Sequence, residues 1–411
     1  MFVNNLSVRY GLGMLVFFVF PIVLMFSCLN TSKEKEITFI YDKYLEETPE
    51  VRVLLLKNAK QAKIEINSPY TIRDLDNNEI LTQGPYLPNS TVSVNSGRFQ
   101  IKPVSSRSTS KISAPLIEVD GKIEITSQEG GFIKLNNSKY QGKLLMIPEK
   151  IKRFTVLEEI NVEDYLPGVV ASEMPAKWQD DAILAQVIAA RTYAIYQKKI
   201  NNNAQYHIDE LDLAYNGSYK NLSKLNEIVS KSKGVVMVYD WEIFPGYFHS
   251  TCGGHTEDVN RVFDLKSIPP LRGADCGNCG KSKYYSWTKV IKKSEIEKRL
   301  RNFKVRVNGL KGITAEGIGP GGHCSTVKIK YSKGVKRINA NEFRLMVGPN
   351  YLRSTAFNIK DNGNSLIFEG KGWGHGVGLC QYGTQNMARS GFKWHEILKR
   401  YYPGTGFVKI Y

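Results

Sequence analysis

A glycine-rich string near the C-terminus constrains the fold most strongly. From Gly370 to Leu379, glycine occupies every second position and frames Trp373 and His375. Glycine adopts positive φ angles and lets another backbone segment approach closely, so this composition is typical of a bare loop that presents its two large side chains to a cleft. The alternative is a glycine-kinked barrel strand with a buried histidine.

The first 28 residues have the pattern of an export signal. Arg9 precedes an uncharged run from Leu12 to Phe26, which Ser27 and Cys28 follow. The run is short for a membrane-spanning helix and matches the apolar core of a signal peptide. A small residue before Cys28 is also typical of a lipoprotein cleavage site. We therefore predict export to the cell envelope, with the chain lipid-anchored at Cys28, secreted to the periplasm or cell wall, or held by its N-terminal segment.

Net charge narrows the classes of partner. The 411-residue chain has 56 Lys and Arg against 39 Asp and Glu, a formal charge of +17 at pH 7. In an exported protein this balance favours an anionic cell wall or membrane surface over nucleic acid. The basic residues are dispersed and no aromatic-interleaved basic motif is present, so we predict no nucleic-acid partner and membrane contact through the N-terminal anchor alone.

Hydrophobic periodicity predicts an α+β fold in which antiparallel strands predominate. Residues 29–48 form a charged tether, and residues 49–150 alternate apolar positions with turn signals, which indicates an N-terminal β region. Residues 151–411 form the domain that carries the chemistry. Its clearest element is a long core helix at about Gln179–Ile200. Shorter helices are predicted at Ala340–Val347, Thr384–Arg389 and Trp394–Tyr402.

Cysteine spacing predicts a structural zinc site. Cys252 and His255 form a C-x2-H pair, and Cys276 and Cys279 form a C-x2-C pair after an interval of 20 residues. Two tight turns that each supply two ligands are typical of tetrahedral Zn²⁺, and four protein ligands leave no position for a catalytic water. We therefore predict a zinc knuckle insertion. His249 is the competing fourth ligand, and a disulfide between Cys276 and Cys252 is the alternative to a metal.

Three sequence blocks lie in order between residues 150 and 411: Glu163–Tyr193, His249–Glu257 and Gly372–Gly383, the last followed by Tyr401–Thr405. Together they resemble the SpoIID/LytB family, which comprises stage II sporulation protein D and the amidase enhancers of bacterial cell walls. One departure is Cys380, where family members commonly carry serine. Cys380 and Cys324 have no assigned role, and whether they pair stays open.

The resemblance implies a peptidoglycan-directed protein. Members similar to the sporulation protein act as lytic transglycosylases on glycan strands that lack stem peptides, and the glutamate of the Ser-Glu-Met-Pro block is their catalytic acid. That residue is Glu173 here, on a loop that precedes the long helix. Glycosidic cleavage needs a carboxylic acid whose pKa is raised, and Met174 and Trp178 offer an apolar wall for that purpose. Expected substrate-binding residues are Gln186, Arg191, Tyr193, Ser250, Trp373, His375 and Gln381.

Three other functions stay open at this point. An amidase enhancer would bind glycan and stimulate a partner cell-wall amidase without cutting. A zinc-dependent hydrolase would need an exchangeable metal position, which four protein ligands do not leave. A plain glycoside hydrolase would need a second carboxylate, for which Glu257 and Asp258 are the nearest candidates. For Arg191, a buried structural ion pair is the alternative to substrate binding.

Overall fold

The computed structural model describes residues 45–104, 116–128, 130–150, 152–209, 214–217 and 222–411. The predicted export signal and most of the predicted tether lie outside the described residues. Within them the fold is mixed α and β, with mostly antiparallel sheets and eight α-helices. None of the described helices is long and apolar enough to cross a membrane.

Twelve described strands form the N-terminal β region. Two six-stranded antiparallel sheets arise, ordered β1-β12-β11-β8-β3-β4 and β10-β9-β2-β5-β6-β7. The predicted boundary at residue 150 falls within the β11–β12 hairpin, so sheet-forming residues continue to Asn161. The strands are β1 (Glu50–Ala59), β2 (Gln61–Ile66), β3 (Tyr70–Asp74), β4 (Ile80–Gly84), β5 (Leu87–Asn95), β6 (Arg98–Pro103), β7 (Ile117–Asp120), β8 (Ile123–Ser127), β9 (Ile133–Leu135), β10 (Ser138–Tyr140), β11 (Lys143–Lys150) and β12 (Arg153–Asn161).

The two N-terminal sheets share one hydrophobic core. Ile64 and Val92 come from one sheet and Ile125 and Val156 from the other, and all four are fully buried. Alternating side chains of a strand point to opposite faces, so each sheet turns its apolar face inward and its polar face to solvent. The predicted alternation of apolar and polar residues along the strands therefore explains why the two sheets pack face to face.

Residues 162–411 contain all eight described helices and eleven further strands. The helices are α1 (Val162–Glu173), α2 (Asp180–Ile200), α3 (Ser223–Lys231), α4 (Val259–Phe263), α5 (Lys293–Asn302), α6 (Ala340–Val347), α7 (Gln381–Arg389) and α8 (Trp394–Tyr401). The strands are β13 (Val235–Tyr239), β14 (Glu242–Ile243), β15 (Phe248–His249), β16 (Ser286–Lys292), β17 (Gly312–Ile318), β18 (Cys324–Tyr331), β19 (Gly334–Asn339), β20 (Phe357–Asn362), β21 (Ser365–Lys371), β22 (Leu379–Cys380) and β23 (Gly406–Lys409).

The long helix α2 lies in the core of this region, and most of its side chains are buried. It packs against α1, α3, α7, α8 and strand β13. Its bounds, Asp180–Ile200, agree with the predicted helix to within a residue. Asp180 and Asp181 occupy the first turn and Lys198 and Lys199 the last, so the charges at both ends complement the helix dipole.

Helix α1 was not predicted, and the expectation that Glu173 lies on a loop is wrong, because Glu173 is the last residue of this helix. The side chain of Asn161 caps the helix by accepting the backbone N–H of Glu163 at 2.8 Å. Such a cap satisfies one of the free donors of the first turn. Pro167 lies inside the helix and Gly168 follows it, so the composition that indicates a turn is instead part of a helix whose last residue is Glu173.

A short parallel strand pair joins two of the sequence blocks. In the β15–β22 pair, Phe248 lies beside Leu379 and His249 beside Cys380. The chain between these strands includes an inserted module, residues 286–371, which we call the insert. It contains β16–β21, α5 and α6, and its apolar residues form a core of their own. The insert therefore begins and ends close to the blocks that resemble the family.

Candidate active site and cysteine cluster

Glu173 is held at the C-terminal end of α1 by two donors. Its Oε2 accepts a hydrogen bond from Gln381 Nε2 at 3.0 Å, and its Oε1 accepts one from the backbone N–H of Ala214 at 3.2 Å. Gln381 is the first residue of α7. Three segments that are distant in sequence thus converge on one carboxyl group.

The surroundings of Glu173 favour its protonated form. Burial raises the pKa of this carboxyl, and the hydrogen bonds from Gln381 and Ala214 offset part of the effect. The C-terminal end of a helix carries partial negative charge, which acts in the same direction as burial. A carboxyl group of this kind retains its proton to higher pH than an exposed glutamate, as a general acid requires.

Gln186 belongs to the same hydrogen-bonded group. It lies on α2 and is fully buried, and its Oε1 is 3.5 Å from Gln381 Nε2. Its own Nε2 is buried without a hydrogen-bond partner among the described residues. The contact with Gln186 therefore helps to orient the Gln381 side chain. The Nε2 group of Gln186 remains inside the site as a hydrogen-bond donor without a partner among the described residues.

Aromatic rings form a strip that leads away from Glu173. Trp178 packs edge-on against Tyr382, with ring centres 5.2 Å apart. The ring centre of Tyr284 lies 6.0 Å from that of Tyr382 and 4.4 Å from that of Trp373. The guanidinium group of Arg353 lies 5.5 Å from the Tyr284 ring centre and 5.3 Å from that of Trp373. We call these five residues the aromatic strip; its apolar rings and single cation are suited to stacking on sugar rings.

The glycine string is a loop between β21 and β22, as predicted. Gly372, Gly374, Gly376 and Gly378 all have positive φ angles, between 70° and 122°. A Cβ atom at Gly378 would lie 2.0 Å from the carbonyl oxygen of Tyr247, so close backbone approach also requires glycine there. The loop leaves Trp373 partly exposed in the aromatic strip.

His375 does not offer a free ring to the cleft. Its Nε2 donates to the carbonyl oxygen of Phe248 at 2.9 Å, and its Nδ1 accepts the backbone N–H of Val377 at 3.1 Å. Burial holds its pKa well below the usual histidine value. The expected substrate-binding role is therefore not supported, because both ring nitrogens already fix the glycine loop in place.

Arg191 is a structural residue. It is fully buried, and its Nε and Nη2 donate to the two carboxylate oxygens of Glu163, each at 2.8 Å. Its Nη1 donates to Ser232 Oγ at 3.2 Å and to the Val235 carbonyl oxygen at 3.1 Å. Arg191 therefore forms the buried ion pair that was the alternative to substrate binding. Its guanidinium N–H groups are occupied by these partners and are not free to bind a substrate.

Tyr193 is buried beside the site, and Ser250 is partly exposed there. Tyr193 is 5% exposed, and its hydroxyl accepts a hydrogen bond from Gln197 at 2.6 Å. The backbone carbonyl of Ser250 accepts the N–H of Tyr382 at 3.1 Å, while its hydroxyl is 3.5 Å from Thr251 Oγ1. Both residues therefore support neighbouring segments of the site.

Four buried cysteines form the metal-binding candidate. The Sγ atoms of Cys252, Cys276, Cys279 and Cys380 all lie within 4.8 Å of one another, and those of Cys252 and Cys279 are 3.6 Å apart. A tetrahedral Zn²⁺ with Zn–S bonds of about 2.3 Å requires S–S separations of roughly 3.8 Å. Hydrogen bonds from the Cys252 and Cys279 thiols lower the pKa of Cys276. The donor set therefore fits zinc in number, softness and geometry.

His255, the predicted fourth ligand, lies outside this cluster, and Cys380 is its fourth thiol. The His255 Nδ1 atom is instead 2.5 Å from the carbonyl oxygen of Thr256. His249 is also outside the cluster and contacts the Val377 carbonyl oxygen through Nδ1 at 3.0 Å. No disulfide joins the described cysteines, and Cys324 Sγ lies 3.2 Å from the Thr355 carbonyl oxygen. Neither disulfide alternative is therefore present.

Sequence reasoning missed several residues of the candidate site. The serine-to-cysteine departure at Cys380 was the available signal for the fourth thiol. Tyr284 and Arg353 lie outside the three sequence blocks, Tyr382 lies in the third block without an assigned role, and the role of Ala214 depends on a backbone N–H that any residue except proline supplies. These residues are recognised by their three-dimensional arrangement rather than by spacing.

Comparison with known proteins agrees with the sequence blocks. Residues 150–239 match the family model described as stage II sporulation protein, and residues 258–378 match a domain of unknown function, DUF8618. An uncharacterized protein of Brachyspira hyodysenteriae is 32% identical over 361 residues, which cover 84% of this chain and 91% of that protein.

Two Bacillus subtilis proteins have functional names. Stage II sporulation protein D is 31% identical over 268 residues, covering 61% of this chain and 75% of that protein. The amidase enhancer is 27% identical over 288 residues, covering 58% of this chain and 40% of that protein. This similarity, together with the ordered blocks around Glu173, shows that the chain belongs to the SpoIID/LytB family, the family of stage II sporulation protein D.

Proposed function

We propose that this protein is a lytic transglycosylase that cleaves peptidoglycan glycan strands, preferably strands free of stem peptides, with Glu173 as general acid and base. The observation that carries the proposal is the carboxyl group of Glu173, partly buried, bonded to Gln381 and protonated to higher pH than an exposed glutamate. The sporulation and amidase-enhancer names of its relatives support a role in the cell wall.

The proposed reaction uses a single carboxyl group twice. Glu173 first donates its proton to the glycosidic oxygen, and the bond from that oxygen to the anomeric carbon breaks. The resulting carboxylate then accepts the proton of the muramic acid C6 hydroxyl as its oxygen bonds to the same carbon. The product is a 1,6-anhydro ring, no water is consumed, and Glu173 is protonated again.

Glu257 and Asp258 are the candidates for the second carboxylate that a glycoside hydrolase, the alternative to a transglycosylase, would need. An ordinary glycoside hydrolase needs a second carboxylate. Glu257 is 1% exposed and lies 3.3 Å from the guanidinium group of Arg261. Asp258 caps α4 by accepting the N–H of Asn260 at 2.8 Å. Both carboxylates have structural partners, which favours the transglycosylase over a hydrolase.

We also propose that the four cysteines hold a structural Zn²⁺. Four thiolates complete a tetrahedral shell, so the ion would supply rigidity and no catalytic water. Cys380 precedes Gln381 directly, and the ion would thereby fix the start of α7 and the donor to Glu173. Export, with lipid attachment at Cys28 or secretion, remains part of the proposal on the strength of the N-terminal sequence.

Mass spectrometry of the reaction products tests the function. The purified protein, Glu173→Gln and the control Glu227→Gln are each incubated with peptide-free glycan strands. Glu227 is exposed in an ion pair with Lys231 and lies on α3. We expect anhydro-muramic ends from the natural protein and the control, and none from Glu173→Gln. Reducing ends would indicate a hydrolase, and glycan binding without cleavage by any of the three would favour an enhancer of a partner amidase.

A further inference from the structure

The insert presents a polar sheet face that the proposed reaction does not use. In the β16-β21-β20 sheet, Ser286 pairs with Lys371, and Glu369 lies between Thr288 and Asn358. These five side chains share one face, because residues two apart on a strand point the same way. Glu369 is half-buried and the other four are exposed. We call this set the platform.

The platform borders a groove. Its five residues line a cavity of about 870 Å³, together with the loop from Gly253 to His255. A volume of this size lies within the range of ligand sites. Hydroxyl, amide, carboxylate and ammonium groups line the groove. Closely spaced donors and acceptors match the hydroxyl and acetamido groups of an amino sugar.

The platform continues the aromatic strip. Ser286 and Lys371 lie two residues from Tyr284 and Trp373, whose rings are in contact. Tyr284 also contacts Tyr382, the residue after Gln381. A series of hydrogen-bonded, ring-contacting and sequence-adjacent residues therefore links Glu173 through the aromatic strip to the insert.

Charge in the insert favours a polymer that carries carboxylates. Residues 286–371 contain eighteen Lys and Arg and six Asp and Glu, a formal charge of +12 out of +17 for the whole chain. Lys371 forms no ion pair with any described residue. A peptide-free glycan strand carries a lactyl carboxylate on every muramic acid, so it is a polyanion that such a surface attracts.

We propose that the platform is a glycan-binding surface that extends the substrate cleft beyond Glu173, and that Lys371 pairs with a lactyl carboxylate of the strand. This inference rests on the proposed function and deepens it. It gives the region of unknown function at residues 258–378 a role in holding long glycan substrates.

Calorimetric binding separates this inference from the proposed function. The probes are β-1,4-linked N-acetylglucosamine oligomers of increasing length and peptide-free glycan strands, and the background is Glu173→Gln, which prevents cleavage. The platform variant is Thr288→Val with Asn358→Leu. The control is Thr314→Val, an exposed residue of the neighbouring strand β17.

The platform variant should bind long oligomers and glycan strands about tenfold more weakly, since two polar contacts are lost. The shortest oligomers and the control should be unaffected. Lys371→Met should weaken the binding of glycan strands and leave that of the uncharged oligomers unchanged. Equal affinity of platform variant and background for long strands would overturn the inference while leaving the proposed function intact. Absence of any glycan binding by the Glu173→Gln background would overturn both.

Discussion

Replacement of Arg191 tests whether the interior ion pair has been assigned correctly. Arg191→Met removes a guanidinium group that donates twice to Glu163 at 2.8 Å and is 0% exposed. Loss of one partner of a buried ion pair costs about 3–5 kcal/mol, because the remaining charge is buried without compensation. Tyr411 also donates its hydroxyl to Glu163, so the lower end of that range, about 3 kcal/mol, is expected.

Urea unfolding followed by circular dichroism measures this loss as a lower transition midpoint. The matched control is Lys231→Met, which breaks an exposed pair with Glu227 whose side chains are 54% and 65% exposed. Exposed pairs contribute little, so the control should unfold near the natural midpoint. Glycan affinity of folded Arg191→Met should equal that of the natural protein. Natural stability with lost glycan affinity would refute this reasoning and restore the substrate-binding role.

Three other predictions concern separate parts of the chain. Cys380→Ser should lower the zinc content measured by elemental analysis of the purified protein, whereas His255→Ala should leave it unchanged; the reverse result would restore the ligand set predicted from spacing. Burial raises the pKa of Glu158 from 4.5 to about 7, so the folded state binds this proton more tightly than the unfolded state does. The free energy of unfolding should therefore fall by about 3 kcal/mol as the pH rises from the unfolded to the folded pKa. Glu158→Gln should remove this dependence in urea titrations, and an unchanged slope would contradict the assignment. A Cβ atom at Gly168 would lie 2.7 Å from the ring of Tyr215, so Gly168→Ala should lower the melting temperature despite its better helix propensity, by an amount equivalent to about 1–3 kcal/mol; an equal or higher melting temperature would show that the ring moves freely.

Local patterns predicted the parts of the fold that depend on local chemistry. The long helix α2 has an apolar face and complementary charges at its ends, and the glycine loop needs positive φ angles that glycine alone adopts readily. Three of the four clustered thiols follow from the spacing of Cys252, Cys276 and Cys279. In each case the determining interactions lie within one segment or its immediate neighbours.

Long-range pairing explains what the sequence did not reveal. Cys380 reaches the other thiols because β22 pairs with β15, which is more than a hundred residues earlier in the chain. The partner of Arg191 is on α1, a helix that was not predicted because Pro167 and Gly168 are typical of a turn. The helix pattern of α2 identifies its buried side chains but does not identify the segment that covers them. The expected substrate-binding role of Arg191 therefore rested on the sequence block that contains it, since the residues that surround its side chain could not be identified from the sequence.

The pairing of Ser286 with Lys371 has a consequence for how this protein can change. The Cα atoms of directly paired antiparallel residues lie about 4.5–5.5 Å apart, a gap that a two-residue hairpin turn closes. Glu173, the four thiols and most of the aromatic strip lie outside the 86 residues that this pair encloses. The insert therefore enters and leaves through adjacent backbone positions, so a short turn would close the chain if the insert were removed. Its exchange would still alter the aromatic strip, because the guanidinium group of Arg353 lies over Tyr284 and Trp373 and its carbonyl oxygen accepts the N–H of Gly374.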